Sequence, residues 1–598
     1  MFAPRSFVAA ALLTAGCLAG GPAGAVPDSH QDHTPFAEGS PALRAAAARS
    51  VTWQRSSSTR PEAWVRFKVL GINDFHGQLE SRSLFGRPVG GAAVLAAYLR
   101  AAEAAAPQGA LLVHAGDQVG ASPPVSALLQ DEPAIGFLNL LANRHCSYRF
   151  KLHPLCNVVG TLGNHEFDEG TAELLRVLEG GNHPAGPFQE DPWRGARFPT
   201  VSANVVWADD GEPLLPPAVI KRVRGLPVAI IGAVLRETPS IVTPSGVAGL
   251  AFRDEAESIN AEVERLRHRG VRAIIVSIHQ GTRQSPSSAD PTPADPITLD
   301  GAIGEIVRRL DDEVDLVVSG HAHGFTNALV ETYSGTPILV TQAFSAGTAY
   351  GDIDLAIDPA SRDIVYKSAR ILTTWADAGP GLTPDAEVAA QVADAAARVA
   401  PLVERVVGTA AGDITRAETA AGESALGNLI ADAQRAAMGT EIALMNPGGI
   451  RDDILAGAVT WGELFGVQPF GNDLVRLTLS GEQLIALLNQ QWAGQPFARV
   501  LKPSGLHYRW RENDPATFAD NEVDPASIQV NGTPLNPIAT YSVTVNSFLA
   551  SGGDNFSVLT EGADRTVGPV DLDALIDHIE GLPQPFDAAV EGRISIIP

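Results

Sequence analysis

Short apolar segments rich in β-branched residues alternate with amphipathic segments along most of the chain after Trp64. The apolar runs are VRFKVLGI, ALLVHAG, NVVGTLG, PVAIIGAV, VRAIIVSI, VDLVVSG and PILVTQ. The amphipathic segments between them have helical periodicity and cover 91–106, 124–142, 170–179, 254–268 and 300–310. Alternating strands and helices build layered sheets, so the pattern predicts an α/β domain in which some strands are antiparallel.

A second domain follows a long connecting helix. Residues 381–408 form one amphipathic stretch with Pro384 in its first turn, which predicts a single helix between two domains. Beyond it, the strands EIALMN, LVRLTLS and TYSVTVNSF, with helices over 425–438 and 481–491, predict another α/β domain. The predicted first domain, linker with connecting helix, and second domain cover 64–375, 376–408 and 409–598.

The first 25 residues have the pattern of an export signal. Arg5 supplies a positive start, an apolar stretch follows, and the small-residue motif AGA ends at Ala25, after which we expect cleavage. Lipidation at Cys17 is the alternative, but Thr14 stands where a lipoprotein signal has an aliphatic residue. We therefore expect an exported protein, periplasmic or extracellular.

Residues 26–63 are predicted to be a linker or a loosely attached arm. Small, polar and proline residues alternate there without sustained apolar periodicity. We expect His30 and His33, which lie in this stretch, to be solvated.

Composition and charge limit the classes of partner. With 45% apolar and 19% charged residues the chain is globular. It has 43 Lys and Arg against 68 Asp and Glu, a net charge of −25. Such a field repels phosphate backbones, so we expect no nucleic-acid polymer as a partner. We also expect no integral membrane span, because no stretch after residue 30 approaches the roughly 20 apolar residues required.

Two cysteines, Cys146 and Cys156, remain after the export signal and stand close together in HCSYRFKLHPLC. In an oxidising compartment they would close a short loop as a disulfide. A pair of buried free thiols is the alternative. A zinc pair is disfavoured because the CxxC spacing is absent.

Polar side chains follow the apolar runs at the points where the predicted strands end. In open α/β sheets ligands gather beyond the carboxyl ends of strands, so five separate segments would deliver these side chains to one crevice. Any one of them alone is more often a cap, a turn or a satisfied histidine, and their convergence is what indicates a site. The residues are Asp74, His76, Asp117, Asn164, His165, His279, His321 and His323.

The residue types suit a pair of metal ions. In an extended segment residues i and i+2 point the same way, so the DxH at 74–76 and the HxH at 321–323 can each bind an ion from one side. Carboxylates and imidazoles without thiolates suit zinc, manganese or iron. Asp117 is placed to bridge two ions. Two cations about 3.5–4 Å apart would activate a water and stabilise the attacking and leaving oxygens of an in-line displacement at a phosphoryl group.

The motifs that contain these residues resemble those of a known family. NDFHG (73–77), GDQ (116–118), GNHEFD (163–168), HQG (279–281) and GHAH (320–323) resemble the five ordered motifs of calcineurin-like metallophosphoesterases. LGNLIADA (426–433), NPGGIR (446–451), QPFGN (468–472) and NSFLASGGDNF (546–556) resemble the C-terminal domain of 5′-nucleotidases, which include bacterial periplasmic nucleotidase/UDP-sugar hydrolases. The resemblance implies a four-layer α/β metallophosphoesterase sandwich, a linking helix and a smaller α/β substrate-binding domain.

The resemblance also implies two divalent metal ions, zinc, manganese or a similar ion, and assigns their ligands. One ion would be held by Asp74, His76, Asp117 and His323, and the other by Asp117, Asn164, His279 and His321. At His323 some relatives have Gln or Asn, but imidazole is a competent ligand.

His165 and Asp168 resemble the catalytic pair of the family. The imidazole would contact the phosphate and stabilise charge on the leaving oxygen, while the carboxylate fixes its tautomer. The alternative role for Asp168 is that of the N-cap or a first-turn acid of a helix in FDEGTAEL.

Five residues of the second domain are implied to bind substrate. Phe470 and Phe548 resemble the two aromatic walls between which the family stacks a nucleobase. Asp554 resembles the carboxylate that accepts from ribose hydroxyls, Asn446 the contact to the base edge, and Arg451 a phosphate-clamping arginine. The alternatives are ordinary, because a phenylalanine is usually core and Gly-Gly-Asp is usually a turn.

One departure from the family concerns the phosphate clamp. Many relatives place arginines in and just before the motif that here reads AAGESALGNLI, whereas this chain has Gly422, Glu423 and Asn428. Part of the clamp is then missing or supplied elsewhere, for which Arg416 is the candidate. A cyclic nucleotide, a dinucleotide or a UDP-sugar needs fewer contacts to a terminal dianion.

Three hypotheses follow. The first is an exported two-metal 5′-nucleotidase that also cleaves nucleotide pyrophosphates or UDP-sugars. The second keeps the metals but changes the substrate, as in a 2′,3′-cyclic phosphodiesterase/3′-nucleotidase or a thiosulfohydrolase-like relative. The third is a metal-dependent binding protein without turnover. The His165–Asp168 pair counts against the third, because a binding module needs no acid catalyst.

Overall fold

The structure is a computed structural model that describes residues 40–57, 59–106, 108–284, 292–513 and 517–597. The predicted export signal, Cys17, His30 and His33 lie outside the described residues. Within the ranges described, each helix is either too short or too polar to cross a bilayer.

The first domain contains a seven-stranded sheet whose middle strands follow the predicted alternation. Four strands on one side, from Val65–Ile72 to Thr200–Val201, run parallel, and the three on the other side are antiparallel to their neighbours. In spatial order the strands are Val51–Gln54, Ile364–Thr373, Ala349–Ile357, Val65–Ile72, Ala110–His114, Val158–Thr161 and Thr200–Val201.

A six-stranded sheet completes the first domain. Its four central strands are parallel and its two edge strands antiparallel, as the mixed pattern predicts. In spatial order the strands are Phe325–Glu331, Pro337–Ala343, Val314–Ser319, Ala273–His279, Leu226–Val234 and Ala218–Val223.

The two sheets pack face to face and helices cover both outer faces. Alternate residues point inward, so Val69 and Val113 of one sheet share a core with Ile275 of the other. The outward residues of the first sheet pack on one group of helices and those of the second sheet on another, which confirms the four-layer sandwich. The helices are Ala92–Ala104, Pro124–Ala127, Glu132–Leu141 and Thr171–Glu179 on one side, and Glu255–His268 and Gly301–Arg309 on the other.

The prediction of a linker or loose arm over 26–63 is wrong for residues 41–54, which contain a helix and a strand. Ser40 caps the helix Pro41–Ala47, and the strand Val51–Gln54 pairs with Ile364–Thr373 at the sheet edge. Val51 is fully buried between the sheets. Both elements are short, and contacts with distant residues stabilise them, so local periodicity does not reveal them.

The connecting helix covers Ala386–Val403, shorter than the predicted 381–408. Asp385 sets its start, because its side chain accepts from the backbone N–H of Val388 at 3.1 Å. Val388 and Val399 are buried against the helices of the first domain. The linker is therefore docked on the first domain, and the strand Val406–Ala410 begins the second.

The second domain is built on two small sheets and a β-ribbon and has two cores, one that contains Ile442 and Leu444 of the main sheet and one that contains Leu426 and Ile430 of the helix Ala425–Met438. The strands of the main sheet, in spatial order, are Lys502–Ser504, Ile442–Met445, Thr540–Asn546, Asp473–Ser480 and Ala563–Val570. The other strands are Glu522–Val523, Leu506–Arg511, Gln529–Val530, Thr533–Pro534 and Ile594–Ile597, with Val406–Ala410 and Gly457–Thr460 in the ribbon. The remaining α-helices of this domain are Trp461–Val467, Gly481–Asn489, Ser547–Ala550 and Asp571–Gly581.

The first domain also contains several short elements outside its two large sheets. They are the hairpin Arg82–Leu84 and Arg87–Val89, the paired strands Val205–Trp207 and Leu250–Phe252, and the one-turn helix Thr238–Ile241.

Candidate functional site

The seven predicted metal ligands meet where strands of both sheets of the first domain end. Each follows a parallel strand or forms its last residue, so the fold delivers them to one edge of the sandwich as the topology predicts. Their ligand atoms form two groups, each within 4.8 Å, that share one carboxylate. The groups are Asp74, His76, Asp117 and His323, and Asp117, His279 and His321.

Asn164 completes the second group. Its Oδ1 lies 3.2 Å from His279 Nε2 and 3.0 Å from His321 Nδ1. His279 Nε2 in turn lies 3.0 Å from Asp117 Oδ2. A carboxylate, an amide oxygen and imidazole nitrogens converging in a buried site form a donor set that suits zinc or manganese.

Several of these residues have unusual backbone conformations. Asp74, His76, Asp117, His321 and His323 all have positive φ, between 49° and 74°. Such left-handed conformations of non-glycine residues persist only where surrounding contacts impose them, and they cluster at functional sites. The ligand positions are therefore held by the fold.

Hydrogen bonds to backbone carbonyls orient the imidazoles. His76 Nδ1 donates to Gly120 O at 2.8 Å, and His279 Nδ1 donates to Ala115 O at 2.7 Å, so each Nε2 faces the site. Burial lowers the pKa of His76 and of His321 to about 3. Both therefore stay neutral, which is the form that binds metal ions.

Asp117 is charged and its surroundings keep it in place. Burial opposes its ionisation, but the charges of His279 and His165 hold its pKa well below the usual range. The backbone N–H of His165 donates to Asp117 Oδ1 at 2.9 Å. A Cβ at Gly163 would lie 2.1 Å from Asp117 Oδ1, so glycine is required at that close approach.

Glu166 helps to hold the site together. It lies inside GNHEFD, but the sequence alone does not identify this role. Its buried carboxylate accepts from the backbone N–H groups of Asp117 and Gln118 at 2.9 and 2.8 Å, and also from Gly163. Glu166 thus ties the Asp117 loop to the Asn164 loop.

His165 and Asp168 form the predicted pair. His165 Nδ1 lies 2.7 Å from Asp168 Oδ2. Burial opposes protonation of the imidazole, but the charges of Asp168 and Asp117 raise the pKa of His165. The helix Thr171–Glu179 starts at Gly170 without a side-chain cap, so the alternative of Asp168 as its N-cap is wrong.

The second domain reaches this pair. The ring of Phe470 stacks on the ring of His165, with centroids 5.9 Å apart and planes 16° apart. The Arg451 guanidinium lies 5.8 Å from the Phe470 ring centre. Together with Pro469, these rings border a cavity of about 70 Å³ whose other lining residues belong to the first domain.

Arg451 is close to a second arginine. Burial and the neighbouring Arg416 lower the pKa of Arg451, while the charges of Asp168 and Asp117 act in the opposite direction. Arg416 Nη1 donates to Ile450 O at 3.2 Å, beside Arg451 in the chain. The two predicted clamp residues are therefore brought together.

The residues that replace the family's other arginines have structural partners. Glu423 accepts from Asn428 Nδ2 at 2.8 Å and from the backbone N–H of Glu591 at 2.7 Å. Asn428 also donates to Ala589 O at 3.0 Å. This motif fastens the C-terminal segment 589–594.

Asn446 and Asp554 lie together at the end of the main sheet of the second domain. Asn446 Nδ2 donates to Asp554 Oδ2 at 2.9 Å, and Asn546 Nδ2 donates to Asn446 Oδ1 at 3.0 Å. Burial raises the pKa of Asp554, while Arg499 and Asn446 oppose that shift. Arg499, whose Nε lies 3.5 Å from Asp554 Oδ1, belongs to no recognisable motif.

Phe548 packs near this cluster. A Cβ at Gly553 would lie 2.5 Å from the Phe548 ring, so the ring covers the Gly-Gly-Asp turn. Phe548 is half-buried, as is Phe470, and neither is a fully enclosed core residue. Among the described residues, Phe470 makes its aromatic stacking contact with His165 rather than with Phe548.

Comparison with known proteins agrees with this geometry. The family model of calcineurin-like phosphoesterases matches residues 67–325, and that of the 5′-nucleotidase C-terminal domain matches residues 406–561. The structure of a 5′-nucleotidase precursor from Thermus thermophilus has a TM-score of 0.71 and 29% identity, covering 89% of this chain and 99% of that one.

Two curated relatives extend the comparison. Cell wall protein Lmo0130 of Listeria monocytogenes is 34% identical over 569 residues, which cover 89% of this chain and 68% of that protein. Endonuclease YhcR of Bacillus subtilis is 35% identical over 566 residues, covering 92% of this chain but 42% of the relative's own length. The resemblance and the fold predicted from the motifs are confirmed: this chain belongs to the 5′-nucleotidase family, in which a calcineurin-like phosphoesterase domain is joined to a 5′-nucleotidase C-terminal domain.

Proposed function

We propose that this chain is an exported phosphohydrolase that uses two divalent metal ions and releases phosphate from nucleotides. We include nucleotide pyrophosphates and UDP-sugars among its substrates. The observation that carries the proposal is the pair of ligand groups that share Asp117, with His165 and Asp168 beside them. A binding protein without turnover would not need the pair His165 and Asp168.

The two groups would each hold one ion. Ions bound there would supply a nucleophilic water and neutralise charge on the phosphoryl oxygens. Burial lowers the pKa of His76 and of His321 and favours the neutral form that binds metal ions, whereas at His279 the charge of Asp117 outweighs burial and raises the pKa. Zinc and manganese both suit the donor set.

His165 would hold the proton that the leaving oxygen receives. In the protonated imidazole, Nδ1 donates to Asp168 and Nε2 carries the proton that can be transferred. The positive charge on a protonated His165 is stabilised by Asp168 and Asp117, which raise its pKa. Asp168 therefore acts through His165 as a positioning residue.

The second domain would bind the nucleotide. Arg451, whose guanidinium fork matches phosphate oxygens, lies near the carboxylates of the metal site, and Arg416 adds a second cation. Asp554 and Asn446 supply a buried carboxylate and amide for ribose and base. Phe470 and Phe548 would flank the base.

Export is supported by the disulfide. The Cys146–Cys156 bond, which is expected for an oxidising compartment, is present with the Cα atoms 4.6 Å apart. Disulfides persist in oxidising compartments. The name of the cell wall relative agrees with an exported protein.

The experiment that tests this function is a substrate panel. Purified protein is incubated with Mn²⁺, Zn²⁺ or Co²⁺ and with AMP, ATP, UDP-glucose, 2′,3′-cyclic AMP and p-nitrophenyl phosphate, and phosphate release is measured. Metal-dependent release from AMP supports the proposal. Absence of turnover with every metal and substrate contradicts it and favours the binding protein.

Cleavage of phosphodiesters is the second candidate. Arg451 and Arg416 remain, but the motif AAGESALGNLI contains no arginine and has Gly422 and Glu423, which would weaken the selection for a terminal dianion. The relative named as an endonuclease points the same way. Preference for 2′,3′-cyclic AMP over AMP in the panel would favour this candidate. A further reaction with single-stranded DNA as the substrate tests the expectation that polymers are not cleaved.

Replacement of Phe548 by Ala should raise KM for AMP about 10-fold, since stacking on one aromatic ring contributes roughly 1–3 kcal/mol per base and 1.4 kcal/mol is a factor of ten. Hydrolysis of p-nitrophenyl phosphate, which has no base, should be unchanged. Steady-state kinetics on both substrates and a melting curve provide the measurement. Phe548 is the better choice for this test, because Phe470 also contacts His165.

Phe556→Ala serves as the matched control. Phe556 is fully buried in the core of the same domain. Its truncation should cost about 3–5 kcal/mol, lower the melting temperature and impair both substrates. If Phe548→Ala behaves in the same way, Phe548 is a core residue and the base-stacking role is wrong.

A further inference from the structure

The loop closed by the Cys146–Cys156 disulfide lies at the opposite edge of the first domain from the metal ligands. It precedes the strand Val158–Thr161, and Asn164 follows that strand. The loop is therefore at the amino end of the parallel strands and the site at their carboxyl end. A partner bound at the loop would leave the cleft open.

Three large apolar side chains of this loop are exposed. Phe150 is 57% exposed, Leu152 44% and Leu155 46%. Single exposed apolar residues are normal on a protein surface, but three within six consecutive residues concentrate apolar surface in one loop, which indicates an interaction site.

The same loop is basic in a strongly acidic protein. The segment RHCSYRFKLHPL, residues 144–155, contains Arg144, Arg149 and Lys151 and no acidic residue, whereas the chain has a net charge of −25. Arg144 and Arg149 are exposed. Lys151 pairs with Glu179, with Nζ 2.9 Å from Oε1.

A neighbouring hairpin extends the positive charge. The strands Ala218–Val223 and Leu226–Val234 turn next to the loop, where the backbone N–H of Arg222 donates to Pro154 O at 2.8 Å. Arg222 and Arg224 are exposed, and no acidic residue occurs between 213 and 236. Apolar and cationic side chains are thus interleaved on one surface.

Bonds to the body of the domain hold the loop in shape. Asn143 Nδ2 donates to Leu155 O at 2.9 Å, and Lys221 Nζ donates to His153 O at 3.3 Å. The rings of His145 and His153 stack with centroids 5.2 Å apart. With the disulfide, these contacts present the apolar side chains in a preorganised way, which reduces the entropy lost on binding.

We propose that this surface, residues 144–155 with Arg222 and Arg224, docks on a lipid bilayer that carries anionic headgroups. Phe150, Leu152 and Leu155 enter the interface, and the arginines face the headgroups. Charge complementarity favours this partner. The chain has a net charge of −25, but this surface is locally positive and therefore attracts anionic headgroups. Separate exposed apolar side chains among cations suit a bilayer better than a soluble polyanion, which offers no apolar phase.

The test is co-sedimentation of the full chain with vesicles. Vesicles of phosphatidylglycerol mixed with phosphatidylcholine are compared with phosphatidylcholine alone, at low and high salt. We expect binding to the anionic vesicles, weakened by salt. The variant Phe150→Ser/Leu152→Ser/Leu155→Ser should lose about 10-fold or more in vesicle affinity, and Arg144→Gln/Arg149→Gln should lose it as well.

Controls separate this result from misfolding and from simple charge attraction. Ile538→Ser, which removes an apolar side chain that is 84% exposed on the second domain, should bind like the unaltered protein. Phe150→Ser alone gives a milder second variant, and melting temperature and p-nitrophenyl phosphate hydrolysis report folding in each case. Undiminished binding of the triple serine variant would overturn the bilayer in favour of a polyanion, because the apolar side chains would then contribute nothing. Absence of binding to either vesicle would overturn the docking surface.

Discussion

Asp117→Asn should reduce hydrolysis of every substrate by more than about 10³-fold. Loss of a single preorganised hydrogen-bond donor at an active site costs about 10²–10³-fold. Asp117 belongs to both ligand groups, so its replacement affects two metal positions at once. An amide is neutral and offers one oxygen, whereas the carboxylate places Oδ1 against the His165 N–H and Oδ2 against His279 Nε2.

Metal content is the second measurement for Asp117→Asn. Mass spectrometry of the purified variant should find less bound metal than in the unaltered protein, because the shared negative charge is gone. Asp254→Asn is the matched control: Asp254 caps the helix Glu255–His268, pairs with Arg309 and belongs to neither ligand group, and Asn is also a good cap. Two tightly bound ions and full activity in Asp117→Asn would contradict the bridging role.

The convergence of the proposed metal ligands could be predicted from the sequence because each follows or ends a predicted strand. The runs before Asp74, Asp117 and His279 are short and mostly apolar, and parallel strands bring their carboxyl ends to one edge. Side-chain type then identifies the chemistry. Local pattern and global topology agree here, and prediction works where they agree.

Glu166 shows where such reasoning stops. Its partners are the backbone N–H groups of two separate loops, which the sequence does not place next to each other. Arg499 is similar, because its contact with Asp554 depends on how the segment after the helix Gly481–Asn489 crosses the second domain. The strand Val51–Gln54 depends on a partner more than 300 residues later in the chain. All three depend on long-range contacts without a periodic signal.

His165→Asn should lower turnover by about 10²–10⁴-fold, the usual contribution of a positioned general acid. At roughly 1.4 kcal/mol per factor of ten, this corresponds to about 3–5 kcal/mol of transition-state stabilisation. Asn cannot transfer a proton, but its backbone N–H can still donate to Asp117 Oδ1, so the ligand groups should remain intact. Single-turnover rates and metal content on the same preparation provide the measurement.

Two variants make the result of His165→Asn specific. Asp168→Asn keeps the imidazole but removes the charge 2.7 Å from its Nδ1, so turnover should fall less than in His165→Asn. His268→Asn, at an exposed position on the helix Glu255–His268, should change nothing. The side chain of His165 faces Asp168 and Phe470 and lies in neither ligand group. We therefore expect His165→Asn to lose turnover and to keep its metal content. If metal content instead falls in proportion to the rate, His165 is a ligand, and the division between metal-holding and proton-holding residues is wrong.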